Sequence, residues 1–163
     1  MGKVDLYPHF SLERRKMIGI IVTSHGPSAQ AIIESVKLLY GNLTYLEPVV
    51  LLEDDSPEVY RTHLDRAIEN VDNGEGIIIL VDIPGGTPCN QALLAATTRD
   101  DIQIISGFNT MMLLQILLVR SNGGFLAEIA ESAIDAGITS IKNITTQLRD
   151  HSNVENISID EAL

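Results

Sequence analysis

His25 lies at the junction between an apolar run and a helix-like pattern. The run Met17–Val22 (MIGIIV) predicts a buried strand, and Ser24, His25 and Gly26 follow it. A free imidazole has a pKa of about 6.5, so its neutral, nucleophilic form is plentiful at neutral pH. His25 is therefore the candidate reacting group, although this loop alone also fits a histidine that only ends the strand and bonds to the backbone.

Asp82 closes the clearest apolar run of the chain, Gly76–Asp82 (GIIILVD). An acid at the end of a buried strand is partly removed from water and needs a partner. His25, on a loop at the same edge of the sheet, can be that partner, because a carboxylate on one ring nitrogen fixes the tautomer and leaves the other nitrogen free to attack. The competing interpretation is an aspartate that caps a helix or bonds only to its own loop.

A glycine-rich turn, IPGGTP, follows this third strand. Gly85 and Gly86 allow positive φ angles or a close approach of the backbone to a ligand. The hydroxyl of Thr87 can donate to a phosphoryl oxygen and can also cap the next helix. Helix N-termini attract anions, and this holds also for the helix that starts after Gly26. The turn lacks the lysine of a P-loop and the spacing of a dinucleotide fingerprint.

The other histidines and the single cysteine are weaker candidates. His63 lies in a helical stretch rich in charged residues and is expected at the surface, and His151 lies in a polar tail. We expect Cys89 to be packed rather than reactive. No cluster has metal-ligand spacing and no CxxC motif occurs, so we expect no metal, no cofactor and no disulfide.

The composition narrows the classes of function. The chain has 163 residues, a net charge of −11 and 45% hydrophobic residues. Because the chain is so acidic, nucleic acids and anionic membranes are poor candidates for partners, and a basic protein is a better one. No apolar run approaches the roughly 20 residues of a membrane span. The first residues lack the apolar stretch of a secretory signal, which predicts a cytoplasmic location.

Strand-like and helix-like segments alternate along the chain. This order predicts a single-domain α/β fold, a doubly wound and mostly parallel sheet with helices on both faces. Ligands of such sheets bind at the carboxyl ends of strands near the topological switch point. The predicted strands are Met17–Val22, Pro48–Leu52, Gly76–Asp82 and Ile102–Ser106. The predicted helices follow Gly26, start at Ser56-Pro57, run from about Pro88 to Thr98, and cover Met111–Arg120 and Gly123–Gly137.

The two ends of the chain are set apart from this pattern. Residues 1–16 lack clear periodicity and are expected to be an N-terminal extension or leader, residues 17–145 the domain, and residues 146–163 a polar tail. Ser140–Thr145 (SIKNIT) is predicted to be a last short strand, either at the sheet edge or paired with a second subunit.

Three motifs together resemble the IIA component of the mannose-type sugar phosphotransferase system over roughly Met17–Thr145. The first is IGIIVTSHG, with His25-Gly26 after the strand. The second is GIIILVDIPGGTPCNQA, and the third is IISGFNTMMLLQ, with Gly107-Phe108-Asn109. Each motif alone is weak, but their order and spacing all agree. The chain departs from the usual pattern at Pro84, where an aromatic residue can occur, and at Thr87, which replaces a serine.

The resemblance implies a phosphotransferase that carries a phosphoryl group on histidine. The phosphocarrier protein HPr would phosphorylate Nε2 of His25, Asp82 would orient the ring through Nδ1, and the IIB component would accept the group. The membrane components IIC and IID would then move and phosphorylate the sugar. A homodimer with an exchanged C-terminal strand is also implied. The predicted phosphoryl-binding residues are Ser24, Gly26, Gly85, Gly86 and Thr87.

Three other functions compete with this interpretation. A IIA-like subunit that serves dihydroxyacetone kinase would use His25 in the same way and change only the final acceptor. A histidine phosphatase or mutase also carries His-Gly after a first strand, but has arginine where this chain has Ser24. A regulatory or binding module with the same fold would not be phosphorylated by HPr.

Overall fold

The structure is a computed structural model that describes residues 16–147. Strands and helices alternate through this part of the chain, as the sequence predicted. The elements are β1 (Gly19–His25), α1 (Ser28–Tyr40), β2 (Leu46–Leu51), α2 (Pro57–Val71), β3 (Ile77–Val81), α3 (Thr87–Ala96), β4 (Ile102–Ser106), α4 (Thr110–Arg120) and α5 (Leu126–Thr139). None of these described helices combines the length and apolar composition that crossing a bilayer requires.

The strands form one parallel sheet in the order β2-β1-β3-β4. The chain leaves β1 for β2 on one side and then crosses to β3 on the other side. The carboxyl ends of β1 and β3 therefore flank the topological switch point, where ligands of such sheets bind. Their register places Thr23 beside Val81, so the residues after these two positions lie at the same edge.

Both faces of the sheet are covered by helices, which confirms the predicted doubly wound architecture. Ile20 and Leu80 belong to the core on one face, packed against α1, α4 and α5. Ile21 and Ile79 belong to the core on the other face, under α2 and α3. Because β3 is buried along its whole length, its sequence is continuously apolar instead of alternating.

Side-chain caps start α2 and α4. The Ser56 hydroxyl accepts from the Val59 backbone N–H at 3.3 Å, and Pro57 is the first residue of α2, as predicted. The Asn109 side-chain oxygen accepts from the Met112 N–H at 3.0 Å and caps α4. The Asn109 amide nitrogen also donates to the carbonyl of Gly137 at 3.3 Å, which joins α4 to α5.

Strand β1 extends beyond the apolar run that predicted it. The prediction ended at Val22, whereas the strand continues through Thr23 and Ser24 to His25. Both hydroxyl residues are fully buried. They are tolerated there because each hydroxyl has a hydrogen-bond partner inside the protein.

The predicted strand Ser140–Thr145 is wrong. Residues 141–143 are irregular, and residues 144–147 are helical. The Asn143 side chain accepts from the Thr146 N–H at 3.2 Å, which is the bond of a helix cap. The apolar residues of this segment also recur every third residue, which suits a helical turn better than a strand, at Ile138, Ile141 and Ile144. The segment that was expected to be exchanged between subunits is thus not extended.

The predicted N-terminal extension and most of the predicted tail lie outside the described residues, as does His151. Of the other weak candidates, Cys89 is a residue of α3 that is buried in the core, and His63 is exposed on α2.

Arg120 links the amino ends of β1 and β2 through hydrogen bonds. Its side chain is 6% exposed, and its guanidinium donates to the carbonyls of Ile18 at 2.7 Å, Thr44 at 2.7 Å and Tyr45 at 3.3 Å. Burial lowers the pKa of Arg120 to about 10, so the group stays charged at neutral pH. The last residue of α4 therefore ties the carbonyls that precede β1 and β2 to one guanidinium.

Replacing Arg120→Met should lower the free energy of unfolding by about 2–4 kcal/mol, because three hydrogen bonds from a buried charged group to backbone carbonyls are lost. Urea denaturation followed by circular dichroism measures the effect. The matched control is Arg61→Met, which removes a partly exposed ion pair with Asp65 and should cost less than about 1 kcal/mol. Equal losses in the two variants would contradict the role assigned to Arg120.

Candidate active site

One carboxylate joins the ends of β1 and β3. Asp82, the residue after β3, accepts the backbone N–H of His25 on Oδ2 at 2.8 Å. The same Oδ2 lies 2.9 Å from Nδ1 of the His25 ring. The other oxygen, Oδ1, accepts the backbone N–H of Ile83 at 2.9 Å. Asp82 therefore fixes His25 through both its backbone and its ring, and its own orientation is fixed by the next peptide.

The electrostatics favour an ionised Asp82. Partial burial is the largest influence and acts to raise the pKa of Asp82, but the hydrogen bonds from the His25 backbone and ring, and from the Ile83 backbone, together hold that pKa below its usual range. An ionised carboxylate only accepts hydrogen bonds, so the Nδ1 of His25 carries a proton. In a neutral ring, Nε2 then keeps its lone pair. The His25 side chain is 43% exposed and that of Asp82 is 20% exposed, so the imidazole is open to solvent and the carboxylate is more sheltered.

Gly86 packs directly against the imidazole. A Cβ at this position would lie 2.6 Å from Cε1 and 3.1 Å from Nε2 of His25. The backbone at Gly86 has φ −75° and ψ 170°, which any residue adopts, so glycine is needed here for space. Its neighbour Gly85 has φ 78°, where glycine is needed for conformation. The two glycines of the predicted turn therefore have different tasks.

The amino end of α3 lies beside Nε2. Gly86 is the N-cap, Thr87 is the first helical residue, and no side chain caps this end. The prediction that Thr87 caps α3 is wrong, since its position is one residue inside the helix. The first N–H groups of a helix lack intrahelical partners and carry a partial positive charge. Next to His25, the start of α3 therefore offers donors to an anion.

Asn90 holds the turn in place and was not assigned a role from the sequence. Its side-chain nitrogen donates to the Gly85 carbonyl at 3.1 Å, and its backbone N–H donates to the Gly86 carbonyl at 2.9 Å. The sequence signal that could have indicated this role is the place of Asn90 in the second motif, one residue after Gly-Gly-Thr-Pro.

Ser24 and Gly26 form the turn that supports His25. The Ser24 hydroxyl donates to the Gly26 carbonyl at 2.9 Å and accepts the Ala29 N–H at 2.8 Å. The Gly26 N–H donates to the Leu51 carbonyl at 3.0 Å. The structure thus brings Asp82 and Gly86 against His25, with Gly85 and Thr87 as the chain neighbours of Gly86. The Ser24 side chain leaves β1 on the opposite face, toward the start of α1, and the Gly26 amide is already bonded.

Two further hydroxyls lie behind the pair. Thr23 and Tyr60 are fully buried and hydrogen-bonded to each other. Burial raises the pKa of Tyr60 to about 12; the hydrogen bond with Thr23 acts to lower it, and the negative charge of Asp82 acts to raise it. The sequence offered one signal for this contact, which is a hydroxyl residue in a buried strand two positions before His25.

Comparison with known proteins places this geometry in a family. A family model, EIIA-man, described as the PTS system fructose IIA component, matches residues 19–134. The chain belongs to the EIIA-man family. The match covers every residue of the site, from Ser24 in β1 to Asn90 in α3, and it confirms the resemblance read from the three motifs.

Individual relatives agree with this assignment. The mannose-specific EIIAB component of Escherichia coli K12 is 23% identical over 125 residues, which are 77% of this chain and 39% of that protein. The chain thus spans well under half the length of this relative. The fructose-specific EIIA component of Bacillus subtilis is 26% identical over 106 residues, 65% of this chain and 73% of that protein. The crystal structure of a phosphotransferase system EIIA from Streptococcus agalactiae has a TM-score of 0.73 and 26% identity, and the match covers 80% of this chain and 99% of that one.

The lowered pKa of Asp82 predicts a pH-dependent contribution to stability. A carboxyl whose pKa is lower in the folded than in the unfolded chain stabilises the fold above its unfolded pKa of about 3.9, and this contribution is lost as the pH falls through the folded pKa. Asp82→Asn should therefore be less stable than the wild type at pH 7, and the difference should shrink below about pH 4. Urea denaturation at a series of pH values measures it.

The control for this series is Asp54→Asn, which makes the same charge change at an exposed position. Its difference from the wild type should vary less with pH. A loss in Asp82→Asn that stays constant from pH 7 to pH 3 would contradict the ionic role of Asp82.

Gly86→Ala should push the ring of His25 off Asp82, since the new methyl group would overlap Cε1. Imidazole ¹⁵N shifts report the tautomer, and we expect the Nδ1–H form of the wild type to lose its preference. Gly123→Ala is the control, because Gly123 has φ 84° and open space, so its strain of about 1–2 kcal/mol leaves His25 unchanged. A wild-type tautomer in Gly86→Ala would refute the close packing.

Proposed function

We propose that this chain carries a phosphoryl group on Nε2 of His25 in a sugar phosphotransferase system. One observation supports this above all: Asp82 occupies Nδ1 at 2.9 Å, while the Nε2 edge of the ring faces Gly86 and the start of α3. A histidine that only ended the strand would not need both its backbone and its ring on one carboxylate.

In the proposed step the Nε2 lone pair attacks the phosphorus of a phosphohistidine on HPr. A new P–N bond forms on His25, the P–N bond of the donor breaks, and the donor ring keeps its electron pair. Nδ1 retains its proton, so positive charge develops on the His25 ring, and the Asp82 carboxylate stabilises it. The second transfer follows the same course: a group on the IIB component attacks the phosphorus, the P–N bond on His25 breaks, and Nε2 keeps the electron pair.

The bound phosphoryl group adds roughly −1.5 to −2 charges at neutral pH. The amino end of α3 and the turn at Gly85 and Gly86 are placed to stabilise that charge without lysine. The Thr87 hydroxyl is a further donor in this proposal. Ser24 and Gly26 act through the position of the His25 backbone, since their polar groups are engaged in the turn.

The surface around His25 is suited to proteins that dock transiently. Leu52 is 59% exposed and directly follows β2, and Ile83 is 51% exposed and is the second residue after β3. The donor and the acceptor would use this surface in turn. In this proposal HPr is the donor and a IIB component the acceptor, IIC and IID complete transport, and the reaction takes place in the cytoplasm. The names of the relatives, a mannose-specific EIIAB component and a fructose-specific EIIA component, support a role in sugar phosphotransfer.

These names do not favour the alternative acceptor, dihydroxyacetone kinase. Transfer of the phosphoryl group from His25 to purified IIB, compared with transfer to the kinase subunit, distinguishes the two acceptors.

We also propose that the protein forms a homodimer. In the sheet, β4 has no neighbour on its outer side among the described strands. Next to this edge lies an apolar cavity of about 380 Å³ between β4 and α5, bordered by Ile138 and Ile141, whose side chains are largely exposed. Such a surface is typical of an interface that a second subunit covers.

The proposal is tested by phosphorylation from phosphoenolpyruvate through the upstream carriers. The wild type should acquire an acid-labile phosphate on His25, and His25→Ala should acquire none. His63→Ala is the matched control, since His63 is exposed on α2 and should leave labelling unchanged. Normal labelling of His25→Ala, or label mapped to another residue, would refute the assignment.

A further inference from the structure

Thr23, two residues before His25 in β1, is hydrogen-bonded to Tyr60 of α2. Thr23 and His25 are two residues apart in β1, so their side chains leave the same face of the sheet, the face covered by α2 and α3. In the neighbouring strand Thr23 is opposite Val81, the residue before Asp82. Tyr60 reaches this point from α2 and joins Thr23 by a hydrogen bond.

Packing alone does not require these hydroxyls. Both side chains are fully buried, and Tyr60 lies within an apolar cluster that includes Ile21, Leu64 and Val81. Valine and phenylalanine would fill nearly the same space, and replacing both partners of a buried hydrogen bond by apolar groups of the same shape is nearly neutral. The hydroxyls therefore call for an explanation other than core volume.

The hydrogen bond between these two hydroxyls can fix the position of α2 relative to β1. Tyr60 is neutral at physiological pH, so the pair supplies oriented dipoles and adds no charge next to Asp82. A hydrogen bond restricts rotation and sliding of α2 against β1 at one point, whereas apolar contacts are non-directional. That point is two residues from the exposed end of β1, where the ring of His25 must stay within 2.9 Å of Asp82.

We propose that Tyr60 is a positioning residue for phosphoryl transfer. Acting through Thr23, it holds the end of β1 so that Nδ1 of His25 stays on Asp82 and Nε2 keeps its direction toward the donor. This inference rests on the proposed function for its kinetic consequence, but its structural consequence is measurable in the unphosphorylated protein.

The test uses Tyr60→Phe and Thr23→Val, which delete the hydroxyls, and Thr23→Ser, which keeps one. The matched control is Tyr40→Phe: the Tyr40 hydroxyl donates to the Leu117 carbonyl at 2.9 Å on the opposite face of the sheet. The first measurement is the exchange rate of the Nδ1 proton of His25 by NMR. The second is the rate of phosphorylation by phospho-HPr, separated into kcat and KM.

We expect Tyr60→Phe and Thr23→Val each to speed Nδ1 proton exchange and to lower kcat about tenfold, equivalent to about 1.4 kcal/mol, with KM unchanged. The double variant should be no worse than either single one, because both remove the same contact. Thr23→Ser should behave as the wild type. Tyr40→Phe should lose stability and leave both measurements unchanged.

The inference fails if Tyr60→Phe matches Tyr40→Phe in both measurements. Should Tyr60→Phe not fold, the contrast between Thr23→Val and Thr23→Ser decides, and equal behaviour of these two overturns the proposal. A wild-type protein that HPr does not phosphorylate would refute the proposed function instead, and the exchange measurements would still decide the positioning role.

Discussion

The site depends on one carboxylate that accepts two hydrogen bonds from the same histidine. Asp82 binds the backbone N–H and the Nδ1 of His25 through a single oxygen, while its other oxygen is held by the next peptide. The first bond fixes where the end of β1 lies, and the second fixes how the ring is turned. A neutral imidazole held this way has one free nitrogen, and its direction is set by the backbone rather than by side-chain rotation.

A parallel sheet supplies this arrangement because it brings together residues 57 positions apart in sequence. β1 and β3 are neighbours only because the chain crosses over β1 after making β2. The same crossover places the start of α3 against the ring, and that approach is close enough to exclude any side chain at Gly86. Fold and reactivity are thus linked through backbone positions, which explains why the site needs so few charged residues.

The sequence predicted the sheet from its apolar runs. It singled out His25, Asp82 and the glycine turn because they directly follow two of those runs, whose carboxyl ends meet at one edge of a parallel sheet. It could not predict the direction of the Ser24 hydroxyl, which depends on how the turn closes onto Ala29. The cap of α3 was misplaced by one residue, since a glycine N-cap leaves no side-chain signal. Tyr60 was missed because its contact with Thr23 joins elements that only the folded chain brings together.

Strand β1 is anchored at its amino end and carries His25, the candidate reacting group, at its carboxyl end. At its amino end a buried arginine donates to three carbonyls, and at its carboxyl end the side chains are partly open to water. Local opening of a protein starts where the backbone is least protected. Protection against amide hydrogen exchange should therefore fall along β1 from Ile20 to His25. Under the proposed function both partners dock at this end, so motions that accompany phosphoryl transfer can occur there without loosening the core.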